Sequence, residues 1–170
     1  MFKIFAAVLI IAAFASAGRY FALLDKKRAQ TLESILLMLS ITETQLRYSR
    51  MPVSDLLKSL CENNALTGLD FLRECRELLC FGESFSSAWK RSIEASAELK
   101  KLLPETYDNL LVLGDEIGAT DLDGQLSRCE YYNRLFTRVL SERQEKSRRS
   151  AKLFPPLGAL IGFSVVILLV

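Results

Sequence analysis

The chain contains no histidine. Ser-His-Asp and Cys-His nucleophile systems, His-ligated metal sites and imidazole acid–base catalysis are therefore all excluded. A strong charge of one sign is lacking as well. Across 170 residues, 22 Lys and Arg stand against 20 Asp and Glu, a net +2, which is far from the one-sided basic excess of a dedicated nucleic-acid binder. Neither G-x-x-x-x-G-K-[ST] nor G-x-G-x-x-G occurs, so no phosphate-cradling loop is recognisable. Strand-like alternation is absent, and nothing repeats at a period of 20–50 residues. What is abundant is apolar surface: half the residues are hydrophobic although 25% are charged, and the mean hydropathy is +0.19. The apolar residues must therefore be unevenly distributed.

They concentrate at the two ends. Ile4 to Gly18 carries no charge, and after Arg19 the run Tyr20-Phe21-Ala22-Leu23-Leu24 continues apolar to Asp25. Leu153 to Val170 is a second uncharged stretch, 18 residues long. At the helical rise of about 1.5 Å per residue this covers ~27 Å, close to the ~30 Å of a bilayer's hydrocarbon. The first segment is long enough as well if Arg19 snorkels to the headgroups. Two membrane anchors are thus expected, at 1–24 and 153–170, with a helical domain at 25–152 between them. Lys3 followed by Ala15-Ser16-Ala17 before Gly18 also matches a cleavable secretory signal. Cleavage after Ala17 would leave a secreted or surface-tethered helical binding module. The apolar run that resumes at Tyr20 favours the uncleaved anchor.

Basic residues set the orientation. Lys26, Lys27 and Arg28 follow the first run, and Arg143, Lys146, Arg148, Arg149 and Lys152 precede the second. Both clusters belong to the central segment, so the positive-inside rule puts that segment in the cytoplasm. The same cations are candidate contacts to a membrane surface. Gly158 and Gly162 form a G-x-x-x-G within the last run and are candidates for close helix–helix packing.

The middle reads as helices throughout. Leu32, Ile35, Leu36, Leu39 and Leu46 recur at helical spacing up to about Arg50, and Pro52 suits the first turn of a second helix bearing Val53, Leu56, Leu57 and Leu60. A third stripe, Leu69, Leu72, Cys75, Leu78 and Leu79, closes at Gly82. A fourth helix holds Phe85, Ala88, Trp89 and Ile93 and is expected to stop near Pro104. A fifth, with Tyr107, Leu110, Leu111 and Leu113, is expected to stop between Gly114 and Gly118. Thr120-Asp121-Leu122-Asp123 has the spacing of a capping box with Asp123 in place of Glu. The sixth helix lines Leu122, Leu126, Cys129, Tyr132, Leu135, Phe136, Val139 and Leu140 on one face, and Pro155-Pro156 should bend or restart it.

Little of this carries chemistry. Cys61, Cys75, Cys80 and Cys129 form no C-x-x-C pair, and Cys75 and Cys129 fall on apolar helical faces as small hydrophobes. Asp115 and Glu116 are adjacent carboxylates rather than two groups converging on one pocket. The chain reads as a non-enzyme that requires no cofactor. Its candidate partner-binding residues are the acidic turn Asp115, Glu116, Asp121 and Asp123, joined by Gln125.

Several landmarks stand in order: Tyr48 before Met51-Pro52-Val53, then Gly82-x-x-Phe85-x-x-Ala88-Trp89, then Leu113-Gly114-Asp115-Glu116-Ile117-Gly118-Ala119-Thr120-Asp121 with Gln125. Together with the two anchors they resemble the stage III sporulation protein AB family of endospore-forming bacteria, with Ile117 where Leu is expected. The resemblance implies an all-α fold, a six-helix bundle similar to the cytoplasmic domain of type II secretion and type IV pilus platform proteins. It also implies a non-enzymatic scaffold of the channel complex between mother cell and forespore. The expected partners are the membrane, a secretion-type sporulation ATPase, other channel proteins and further copies of the chain, with no nucleic acid. The expected location is the mother-cell membrane around the forespore.

Overall fold

The computed structural model describes the backbone of residues 2–49, 51–119 and 121–169, and the side chains of 20, 23–49, 51–117 and 121–147. Its order is α1 (Phe2–Ser49), α2 (Val53–Glu62), a 3-10 turn at Asn64–Leu66, α3 (Phe71–Cys80), α4 (Phe85–Ala95), a 3-10 turn at Leu99–Lys101, α5 (Pro104–Ala119) and α6 (Leu122–Leu169). Among the described residues there is no strand, in keeping with the expected six-helix, all-α fold.

The chain divides into two compact units, Gln30–Leu140 and Met1–Ala29 with Ser141–Val170. The expected anchors, 1–24 and 153–170, lie almost entirely outside the described side chains. Among the described residues no helix is long and apolar enough to cross a membrane.

Local chemistry sets the breaks within Gln30–Leu140. Pro52 caps α2, its carbonyl accepting from the Asp55 and Leu56 amides at 3.1 and 3.0 Å. Gly82, with φ 92°, ends α3. The Gly82 amide donates to Leu79 O at 3.0 Å and the Glu83 amide to Leu78 O at 3.2 Å, the pairing that a left-handed residue after a helix allows. The Ser84 hydroxyl then accepts from the Ser87 amide at the start of α4. The helices bury one stripe each: Leu32, Ile35, Leu39 and Leu46 of α1, Leu56, Leu57 and Leu60 of α2, Phe71, Leu72 and Cys75 of α3, and Cys129, Tyr132 and Phe136 of α6. α4 and α5 contribute Ala88, Trp89 and Ile93, and Leu110, Leu113 and Ile117.

Four boundaries differ from expectation. α4 ends at Ala95, well before Pro104, and the Leu99–Lys101 turn carries Leu99 into the core. α5 runs through the expected stopping region 114–118 to Ala119, so Asp115 and Glu116 lie within a helix, while Asp121 and Asp123 stand at the start of the next one. The cap of α6 sits one residue later than the expected box: Asp121 Oδ1 accepts from the Gly124 amide at 3.0 Å, while Thr120 lies outside the described residues. Finally, of the bend or restart expected at Pro155 and Pro156 the restart does not occur, since α6 is helical through both.

Candidate functional site

Trp89 organises the corner where α4 meets α5. Its ring is buried, edge-on to Phe71 at 5.1 Å and tilted against Phe85 at 5.5 Å. Its indole N–H donates to the carbonyl of Leu110 at 2.8 Å. The next helical turn of α5 must then pass directly over the ring. A Cβ at Gly114 would fall 2.1 Å from Trp89 Cδ1, so this position accepts only glycine without displacement. The glycine that looked like a helix stop is a close-approach residue inside a helix.

The two carboxylates that follow Gly114 point different ways, because adjacent helical residues lie about 100° apart. Asp115 is exposed and accepts a hydrogen bond from the Ser86 hydroxyl of α4. Glu116 is half-buried and turns to α6, where it pairs with Arg128 at 3.5 Å and hydrogen-bonds the Tyr132 hydroxyl. Burial, reinforced by Glu116, raises the Tyr132 phenol above its ordinary range. Asp121 caps α6. Asp123 is exposed in the first turn of α6, where a carboxylate favours the helix dipole, and Gln125 is half-buried. The acidic group read from sequence is therefore split. Asp115, Asp121 and Asp123 are exposed, Asp121 capping its own helix, whereas Glu116 is half-buried and ties α5 to α6. Ser86, Arg128 and Tyr132 were not anticipated at this corner. The only sequence signal for them was their placement on helices that had to pack.

Burial pushes the Cys75 and Cys129 thiols up to about 12, and it raises the half-buried Cys61 as well. All four cysteines are free thiols, and Cys80 is exposed. A thiol whose thiolate is so disfavoured is a poor nucleophile. Among the described residues no group of His, Cys, Asp and Glu could hold a metal ion.

In the other unit, Asp25 Oδ1 lies 3.4 Å from Arg28 Nη1 of α1 and 3.4 Å from Arg143 Nη1 of α6. Lys26, Lys27 and Lys146 are exposed. The same unit presents Tyr20 and Leu23 outward, 65% and 62% exposed. Arg148, Arg149, Lys152, Gly158 and Gly162 lie outside the described side chains.

Comparison with known proteins gives one match. The family model described as stage III sporulation protein AB matches residues 3–170. No curated protein and no solved structure matches the chain.

Proposed function

The chain belongs to the stage III sporulation protein AB family, and with it to sporulation; from that premise we propose that it is a non-enzymatic membrane scaffold of the channel complex between mother cell and forespore. One observation carries the reading. Both uncharged runs, Ile4–Gly18 and Leu153–Val170, belong to a single unit of their own, apart from the polar-surfaced bundle of 30–140. Outward Tyr20 and Leu23, followed at once by Lys26, Lys27 and Arg28, fit a helix leaving hydrocarbon for the headgroup layer. Arg143, Lys146, Arg148, Arg149 and Lys152 would meet the same layer from α6, with Gly158 and Gly162 packing the spans closely.

In this reading the bundle lies on the cytoplasmic face of the mother-cell membrane and acts by fixing position. Tethering raises the effective concentration of weak partners without any new contact. Asp115 and Asp123 are exposed carboxylates through which a secretion-type ATPase would dock. Glu116, Asp121 and Gln125 would shape the corner beneath them. Such a contact is salt-sensitive.

Cys80 is a native reporter for the topology. A membrane-impermeant thiol reagent is expected to reach it only after permeabilisation, and carbonate is expected to leave the protein in the membrane fraction. Labelling of intact cells, or release by carbonate, overturns the reading. Reversing Asp115 and Asp123 to Lys should weaken ATPase pull-down strongly while lowering the melting temperature only slightly, through the lost Ser86 contact and the helix dipole.

A further inference from the structure

The solvent faces of α5 and α6 within the bundle carry opposite charge at matching intervals. On α5 the exposed residues Glu105, Asp108 and Val112 follow one another at steps of three and four, forming one stripe. On α6 Tyr131, Arg134 and Arg138 do the same, and all three are exposed. Each stripe has an uncovered apolar side chain at one end, Val112 at 46% exposure and Tyr131 at 50%. Each runs over seven residue steps, about 10.5 Å along its helix axis.

The order of charges matters. α5 reads acid, acid, apolar, and α6 reads apolar, base, base. Laid antiparallel, the two stripes bring Glu105 to Arg138, Asp108 to Arg134 and Val112 to Tyr131. Parallel alignment would put a carboxylate against the tyrosine and an arginine against the valine. We propose that two copies of this chain associate through these stripes, the α5 stripe of one copy lying antiparallel on the α6 stripe of the other.

The surroundings reinforce the difference in sign. Glu94 of α4 is exposed, and together with Asp108 it adds to burial in raising the Tyr107 phenol, so the α5 side is negative beyond its own stripe. On the α6 side the neighbouring Glu130 shares Arg47 with Glu43, at 3.2 and 2.9 Å, so its charge is only partly offset. The contact is small, with partly exposed ion pairs of modest strength. It therefore suits a protein whose copies are already concentrated by tethering. It needs neither ATPase docking nor the membrane reading to be correct, since both stripes belong to residues 30–140.

The test uses the full chain with Cys61 and Cys80 changed to Ser, leaving the buried Cys75 and Cys129. Two differently tagged copies, one carrying V112C and the other Y131C, are co-expressed and oxidised. The expected result is a mixed-tag disulfide dimer, well above the yield of V112C with V112C or Y131C with Y131C. Asp108→Arg on the first copy should lower that yield roughly fivefold, the weight of one partly exposed ion pair. Arg134→Asp on the second copy should restore it, which a folding defect could not do. Equal yields for all three pairings, or a yield indifferent to Asp108→Arg, or a loss without rescue, each overturns the proposal.

Discussion

Residues 30–140 and the paired ends, 1–29 with 141–170, use the same two long helices under opposite rules. In the first unit α1 buries Leu32, Ile35, Leu39 and Leu46 along one stripe and turns Glu33, Ser40 and Arg47 outward. That arrangement is the one water imposes on a helix at a protein surface. Between Ile4 and Gly18 the sequence has no charged residue, and Leu153 to Val170 likewise has none. A helix apolar all round has no side suited to water. The change of rule falls within α1 near Asp25 and within α6 near Lys152, with no break in secondary structure at either place. The change from an amphipathic to an uncharged sequence is thus carried by residue type and not by a break in either helix.

Placing one charge under each rule gives the largest expected effects. Ile35 is fully buried, so Ile35→Lys leaves an unpaired cation in the core and should abolish cooperative melting of the bundle. Ile161→Lys should leave that melt unchanged and instead reduce membrane retention, since a lysine at mid-span costs about 3 kcal/mol of insertion. Circular dichroism and fractionation read the two outcomes separately. If Ile161→Lys also collapses the bundle melt, the two units share one core and the contrast is lost.

A smaller effect sharpens the comparison inside the bundle. Gly114→Ala should gain up to ~1 kcal/mol of helix propensity. Against this, its new Cβ overlaps the Trp89 ring at 2.1 Å. Overpacking of this kind costs about 3 kcal/mol. The clash wins, and a net loss of about 2 kcal/mol should lower the melting temperature by roughly 10 °C. Trp89→Phe in the same chain should return part of the loss by making room. If Gly114→Ala raises the melting temperature instead, the close approach is not a feature of the folded protein.

This glycine also marks what the sequence could and could not tell. The helix count, the break at Pro52, the end at Gly82 and the burial of Cys75 and Cys129 were all legible, because each follows from a residue's own backbone preference or from helical spacing. The end of α5 was not. The stretch from Gly114 to Gly118 was read as the end of the helix, whereas α5 continues through it to Ala119, and the reason for Gly114 is a tryptophan 25 positions earlier in the chain. The placement of the acidic residues was equally hidden from the sequence. Asp115 and Glu116 look equivalent as neighbours, but once α5 continues through them, one takes Ser86 and the other takes Arg128 and Tyr132. Local signals locate elements, and only the packing of those elements distinguishes a surface carboxylate from a structural one.

The smallest expected effect tests what holds the ends together. Asp25 links α1 to α6 through Arg143, but its side chain is 54% exposed and both contacts are 3.4 Å, long for charge-assisted bonds. Pairs of this kind contribute about 0–1 kcal/mol, and less as salt rises. Asp25→Asn should therefore speed tryptic cleavage after Arg28 and Arg143 only about twofold, the kinetic weight of roughly half a kcal/mol. Wild-type protein in high salt should approach the same rate. An effect of tenfold or more would mean that the clasp, rather than apolar contact between the helices, joins the ends. The ends would then depend on a polar contact at their margin, and the contrast with a bundle held by its interior would have to be drawn in the opposite sense.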